Sequence, residues 1–211
     1  MSKIKAVLFD LDGVLVDARE WHYEALNQAL ALFGHQISRE DHLTMFDGLP
    51  TSKKMEHLIE QRNFPEGIAV LVNQLKQLYT KQLIAVHCYP IFHIEYAVSR
   101  LQQDGYKLAV CTNSIRETLD LMLSRSALTH YFDLTLSNED VGDKPKPDPT
   151  VYRMAMETLG VRPDECVIVE DNEYGVQAAI KSGGNVLRVA DPDEVRFEAI
   201  QAFIAKQEGA V

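Results

Sequence analysis

Basic residues are in deficit: Lys and Arg number 21 against 31 Asp and Glu, a net charge of −10. That balance argues against a broad surface for nucleic acid or an anionic membrane. It leaves room for a small basic pocket that takes a phosphorylated metabolite. Cysteine is scarce, with Cys88, Cys111 and Cys166 the only 3. No Cys-x-x-Cys or Cys/His spacing appears, so a zinc site is not expected. Each cysteine lies in or beside an apolar run, as buried reduced thiols of a cytoplasmic protein do. No apolar stretch approaches the length of a membrane crossing. The N-terminal run is broken by Asp10 and Asp12, which a signal-peptide core does not tolerate. Repeats and low-complexity tracts are missing too. The expectation is a cytoplasmic chain with neither membrane nor nucleic acid as partner.

What is present suits a well-packed globule: 211 residues, 46% hydrophobic and 25% charged, enough for one large domain or a domain with an insert. The chain is organised around Lys5-Ala-Val-Leu-Phe-Asp10-Leu-Asp12-Gly13. A short apolar run that ends in a turn signal reads as a strand buried on both faces, typical of a parallel sheet. Chemistry in such sheets sits beyond the carboxyl ends of the strands. Two carboxylates this close repel unless a cation or a proton offsets them. An oxygen-only donor set suits Mg²⁺, which leaves one Asp free as a nucleophile and the other as an acid/base.

After Asp17 the pattern is helical for some 70 residues. Trp21, Ala25, Ala29 and Leu32 share one stripe, and Tyr23, Leu26, Leu30 and Phe33 the next. Ser38 is a good N-cap for a short second helix ending near Phe46. Thr51 or Ser52 is expected to cap a third, and Pro65 opens a fourth whose core face would be Ile68, Leu71, Val72, Leu75, Leu78 and Tyr79. Together they predict a four-helix bundle over 17–86, with hinges near Asp17-Ala18 and Leu83 to Val86. From Tyr89 onward helices and strands alternate. Strands are expected at Leu108 to Cys111, Phe132 to Leu136, Val167 to Val169 and Asn185 to Val189. This rhythm predicts an α/β fold, a doubly wound parallel sheet formed by 1–16 and 87–211 with the first strand central.

Polar groups cluster at the expected strand ends. Thr112-Asn113-Ser114 follows Val110-Cys111 and would open a helix, which makes either a plain cap or an anion site. Gly142-Asp-Lys144-Pro-Lys146-Pro-Asp-Pro149 is a loop stiffened by prolines. A lysine held there could offset charge on a phosphoryl group. Charge alone does not say whether Lys144 or Lys146 points inward. Glu170 and Asp171 end another apolar strand, and because neighbouring side chains alternate they need not both reach a metal. Nucleophile, acid/base, metal ligands, phosphate cradle and counter-cation are the parts of phosphoryl transfer.

In these motifs the chain resembles the haloacid dehalogenase-like superfamily. Asp10-Leu-Asp12-Gly13-Val is similar to its first motif, Thr112-Asn113-Ser114 to its second, Lys144-Pro-Lys-Pro to its third and Glu170-Asp171 to its fourth. The helical insert resembles the cap of the phosphoglycolate phosphatase and beta-phosphoglucomutase branch. The resemblance implies a Rossmann-like core, a mobile cap and Mg²⁺-dependent hydrolysis of a small phosphate monoester, such as a sugar phosphate. It implies attack on phosphorus by Asp10, with Asp12 as acid and then base. Thr112, the Asn113 amide and Lys144, favoured over Lys146, would hold the phosphoryl oxygens. Mg²⁺ would be bound by Asp10, the Asp12 carbonyl, Asp171 and Glu170. In the cap, His22 and Thr51 of the loop Asp47-Gly48-Leu49-Pro50-Thr51 are the expected substrate contacts. The mutase of this branch has an arginine where Thr51 stands, so a phosphatase is expected ahead of a mutase. A monomer is the simplest expectation. A phosphorylatable signalling domain would need neither Asp12 nor the insert, and a non-catalytic binding protein would not need the complete motif set.

Overall fold

Strand β1, Ala6–Phe9, is wholly buried, and a computed structural model describing residues 3–209 shows why. It is the middle of a five-stranded parallel sheet of order β3-β2-β1-β4-β5. The other strands are β2 Lys107–Cys111, β3 Leu134–Leu136, β4 Cys166–Glu170 and β5 Asn185–Arg188. The helices, in chain order, are α1 Arg19–Ala31, α2 Arg39–Asp41, α3 Thr51–Arg62, α4 Glu66–His87, α5 Phe92–Gln103, α6 Arg116–Arg125, α7 Asn138–Val141, α8 Thr150–Leu159, α9 Glu173–Ser182 and α10 Phe197–Glu208. The α/β class and the central first strand are as the sequence predicts.

Alternation along each strand divides the core into two layers. Val7, Phe9, Leu108, Val110, Val167 and Val169 pack against α5, α6 and α10 through Ile94, Val98, Leu119, Met122 and Ile200. Ala6, Leu8, Ala109, Cys111, Cys166 and Ile168 pack against α8 and α9 through Val151, Tyr152, Ala155, Met156, Ala178 and Ala179. Helices on both faces explain why these strands are apolar throughout. Cys88, Cys111 and Cys166 are all buried and free, and among the described residues no helix is long and apolar enough to cross a membrane.

The insert packs on a third cluster of Leu26, Leu30, Phe46, Met55, Leu58 and Val72. It differs from four equal helices: α2 is a single turn capped by Ser38 and continues into a π turn, His42–Phe46. The core face of α4 differs as well. Its buried residues are Val72, Lys76, Thr80 and Ile84, while Leu71 and Leu78 are exposed. The buried stripe advances four residues at a time and runs from the cap core past the site to the sheet. A hydropathy pattern passes over it because two of its members are polar. The helix also runs unbroken through the expected hinge at Leu83 to Val86 and ends only at Cys88, whose N–H donates to Ile84 O at 2.9 Å. Ile84 and Cys88 already pack with the sheet layer, so the C-terminal part of this helix belongs to the core packing.

Candidate active site

Register brings the site together. Phe9 pairs with Val110 on one side and Val169 on the other, and the Asp10 N–H donates to Val169 O at 3.0 Å. The next residues, Asp10, Cys111 and Glu170, therefore lie at one level, and Thr112 follows just beyond the end of β2. By alternation Glu170 belongs to the layer of Cys166 and Ile168 and turns toward α8 and α9. There its Oε1 accepts from the Tyr152 hydroxyl and from Lys146 Nζ, the latter at 2.6 Å, and its Oε2 accepts from the Asp171 N–H at 3.2 Å. Gly175, in the first turn of α9, makes the space: a Cβ there would lie 2.0 Å from Glu170 Oε1.

The lysine of the proline-rich loop is Lys146, not the expected Lys144. Lys146 is 2% exposed, and its Nζ donates to Asp10 Oδ1 at 2.8 Å; Lys144 is exposed to solvent. The loop contains two overlapping Lys-Pro-x-Pro frames, and the second is the one anchored. Lys146 N donates to Asn113 Oδ1 at 2.9 Å, and Asp148 accepts from the Thr150 N–H at 2.9 Å where α8 begins. The Lys146 ammonium also lies 4.9 Å from the centre of the Tyr152 ring. Burial opposes its charge, but Asp10 and Glu170 outweigh burial and hold its pKa above the ordinary lysine value.

Asp12 points the other way. Its Oδ1 lies 2.8 Å from His22 Nε2, and its Oδ2 accepts from Ser114 Oγ at 2.8 Å and Thr112 Oγ1 at 3.3 Å. Lys76 Nζ lies 3.1 Å from His22 Nδ1. With the ammonium donating to Nδ1, the ring proton belongs on Nε2, which donates to Asp12. Burial pushes Asp12 up, but its interaction and hydrogen bond with His22, the Ser114 bond and Lys76 together hold it at about 2. His22, expected as a substrate contact, is hydrogen-bonded to Asp12. Ser114 and Lys76 were not singled out from the sequence; Ser114 was legible as part of the hydroxyl-rich turn, and Lys76 only as a polar residue at α-helical spacing from Val72 and Thr80.

The expected phosphoryl contacts divide. Thr112 is buried beside Asp12. The side chain of Asn113 is taken up in holding loops together: it donates to Gly48 O of the cap at 2.9 Å and to Lys146 O at 3.3 Å, so what it has left for an anion is its backbone N–H. Thr51, at the first position of α3, is buried and lines the same cleft. Gly48, with φ at +74°, brings the cap loop so near that a Cβ would lie 2.7 Å from Asn172 Oδ1. The cap therefore sits closed over the core.

Three carboxylates, Asp10, Glu170 and Asp171, each offer an oxygen within 4.8 Å of one another. One ammonium, Lys146, and the Arg19 guanidinium 3.4 Å from Asp171 offset them in part. Burial raises Asp10 well above the usual carboxylate range against the pull of Lys146, and burial and then Glu170 raise Asp171. Hard, anionic oxygens with charge left to neutralise fit a divalent cation such as Mg²⁺. The Asp12 side chain is not part of this group.

The likeness to known proteins extends over most of the chain. A family model described as haloacid dehalogenase-like hydrolase matches residues 7–189. A phosphoglycolate phosphatase of Aquifex aeolicus is 29% identical over 180 residues, 85% of this chain and 82% of that protein. A phosphorylated carbohydrates phosphatase of Thermotoga maritima is 29% identical over 184 residues, again 85% and 82%. Among solved structures, beta-phosphoglucomutase from Clostridium difficile superposes with a TM-score of 0.84 over 98% of this chain and 99% of that one; at 22% identity this speaks for the fold. With a match that takes in every motif around the site, the chain belongs to the haloacid dehalogenase-like hydrolase family.

Proposed function

We propose that the protein is a Mg²⁺-dependent phosphatase that hydrolyses a small phosphate monoester through an aspartyl-phosphate on Asp10. The observation that carries this reading is the convergence of Asp10, Asp12, Thr112, Lys146 and Asp171 on one cleft roofed by the cap. A carboxylate of Asp10 attacks phosphorus: the Oδ–P bond forms, the bond to the leaving oxygen breaks, and Asp12 delivers a proton to that oxygen. Water then attacks the acyl phosphate, Asp12 takes its proton, and phosphate leaves with Asp10 restored. Asp12, held ionised by His22 and Ser114, is ready for this second half. For the first it needs a proton, and His22, backed by Lys76, is placed to share one. Lys146, the Thr112 hydroxyl and the loop N–H groups face the developing phosphoryl charge. Asp10, Asp171 and the free capacity of Glu170 Oε2 would hold Mg²⁺, which supplies charge neutralisation at the phosphoryl group.

The relatives named as phosphatases support this reading at the level of reaction class. Phosphate release is the test: wild-type protein with Mg²⁺ is expected to hydrolyse members of a panel of phosphorylated metabolites, and Asp10→Asn to lose turnover while keeping its circular-dichroism spectrum and melting temperature. Turnover surviving in Asp10→Asn would remove the nucleophile. Faster interconversion of hexose 1- and 6-phosphates than phosphate release would point to a mutase.

A further inference from the structure

A second cavity lies where the chain enters α1 and where it leaves α4. Its volume is about 230 Å³. An apolar cavity of about 150 Å³ takes a benzene ring, so there is room here for a compact organic group. No residue of its lining is shared with the cleft that holds Asp10.

The walls are aliphatic and aromatic. Leu15 and Val16, both buried, and Ile91 supply aliphatic surface. Trp21 of α1 and His87, the last residue of α4, stack with ring centroids 6.3 Å apart and planes inclined by 27°. Tyr89 adds a third ring, 69% exposed. The lining holds one carboxylate, that of Asp17, and neither Lys nor Arg. Asp17 is exposed, and among the described residues no hydrogen bond or ion pair engages its carboxylate. Arg19, two residues on, is taken up by Asp171 and by Ala190 O.

This set discriminates among guests. An anion, a phosphoryl group included, would meet a carboxylate with no counter-cation. A hard metal ion needs several oxygen ligands, and one carboxylate among rings does not supply them. An organic ammonium ion is matched on both counts. Its alkyl groups gain from apolar and aromatic walls, and its charge is drawn to the ring faces and to the carboxylate. The catalytic cleft, lined by Arg19, Lys54, Lys76 and Lys146, has the opposite preference.

We propose that this cavity is a binding site for an organic ammonium ion of the tertiary or quaternary class, held by the rings of Trp21 and Tyr89 and by the Asp17 carboxylate. Bound there, the ion touches residues 15–17 and 87–89, the segments at either end of the helical insert.

Trp21 is the chain's one tryptophan, so its fluorescence reads the cavity directly. The full chain is titrated with choline chloride and with 3,3-dimethylbutan-1-ol, its neutral isostere, at an ionic strength held constant with sodium chloride. Binding is measured in parallel by calorimetry. Choline is expected to change the Trp21 emission along a saturating curve, with an affinity about tenfold or more above that of the neutral alcohol. Asp17→Asn and Tyr89→Ala are each expected to weaken choline about fivefold or more, and Asp17→Asn to leave the neutral alcohol as it was. No saturable signal from choline in either measurement overturns the proposal. So does a neutral alcohol bound as tightly as choline, which would make the cavity a plain apolar pocket. A choline affinity that either variant retains overturns it as well. Should Asp17→Asn not fold, Tyr89→Ala, at an exposed position, decides alone.

Discussion

Removing the ammonium of Lys146 would leave the buried carboxylates of Asp10 and Glu170 without the cation between them. Breaking a buried ion pair from one side costs about 3 kcal/mol or more, and the phosphoryl group would lose its counter-charge as well. Lys146→Met is therefore expected to lower the unfolding free energy by about that amount in urea titrations and to reduce turnover by about 10³-fold or more. Lys144→Met, at an exposed position, is expected to change stability by under about 0.5 kcal/mol and turnover by less than about twofold. Composition could not separate these two lysines, since each is followed by Pro-x-Pro. The tie is broken by Asn113, whose carbonyl oxygen takes the Lys146 N–H across the sheet end, a contact between residues 33 apart in the chain.

The same logic at the scale of an element explains α9 and α4. Gly175 lies inside the first turn of α9, where Ala would ordinarily favour the helix by about 1 kcal/mol. Here the added Cβ would meet Glu170, a side chain held by Lys146 and Tyr152 and unable to retreat. Gly175→Ala is expected to destabilise by about 1–3 kcal/mol in denaturant titration, with loss of activity. Within α4, Lys76 is buried for the sake of His22 at a cost to the fold. Its pKa is about 7, lowered by burial and by Lys54 from 10.5. Between those values the unfolded chain holds a proton that the folded chain gives up, so stability rises with pH from about 7 to 10.5 and the full cost is felt below about 7. Lys76→Met is expected to raise stability at pH 7 by about 1 kcal/mol or more, and to show a smaller rise than wild type in melts from pH 7 to pH 9.5. The buried stripe Val72, Lys76, Thr80, Ile84 was only half legible in the sequence, because polarity usually marks the outer face of a helix. In α4 one of the two polar residues of the stripe, Lys76, looks into the cleft.

Over the whole molecule, cap and core meet through polar contacts. Asn113 to Gly48, His22 to Asp12, Arg19 to Asp171 and Lys81 to Glu117 all cross between them. One of these contacts, Arg19 to Asp171, ends on the acidic cluster, so charge balance there bears on the closed arrangement. A cation that binds only the folded site stabilises by mass action. Millimolar Mg²⁺ is expected to raise the melting temperature of the wild type, EDTA to reverse the shift, and Asp171→Asn to show little of it; an equal shift in both proteins would place the ion elsewhere. The two-layer core was readable in advance, since three of its strands, β1, β2 and β4, carry continuous apolar runs that only a doubly covered parallel sheet can bury. The bundle was read too regularly: the π turn at His42–Phe46 and the long unbroken α4 leave no mark in hydropathy, because both depend on backbone geometry and on packing against the sheet.

From its residues alone the chain determined its class, its central strand, and the acidic and hydroxyl groups at the strand ends, because burial on both faces and abrupt polarity at a strand's end are local properties. Only the tertiary structure decided which lysine faces Asp10, that Ser114 and Lys76 join Asp12 and His22, and that Lys54 lies buried in the cap wall. Those assignments depend on which side of a loop or helix meets a partner from a distant part of the chain, and side-chain direction there is set by packing across the sheet and between cap and core rather than by neighbours in sequence.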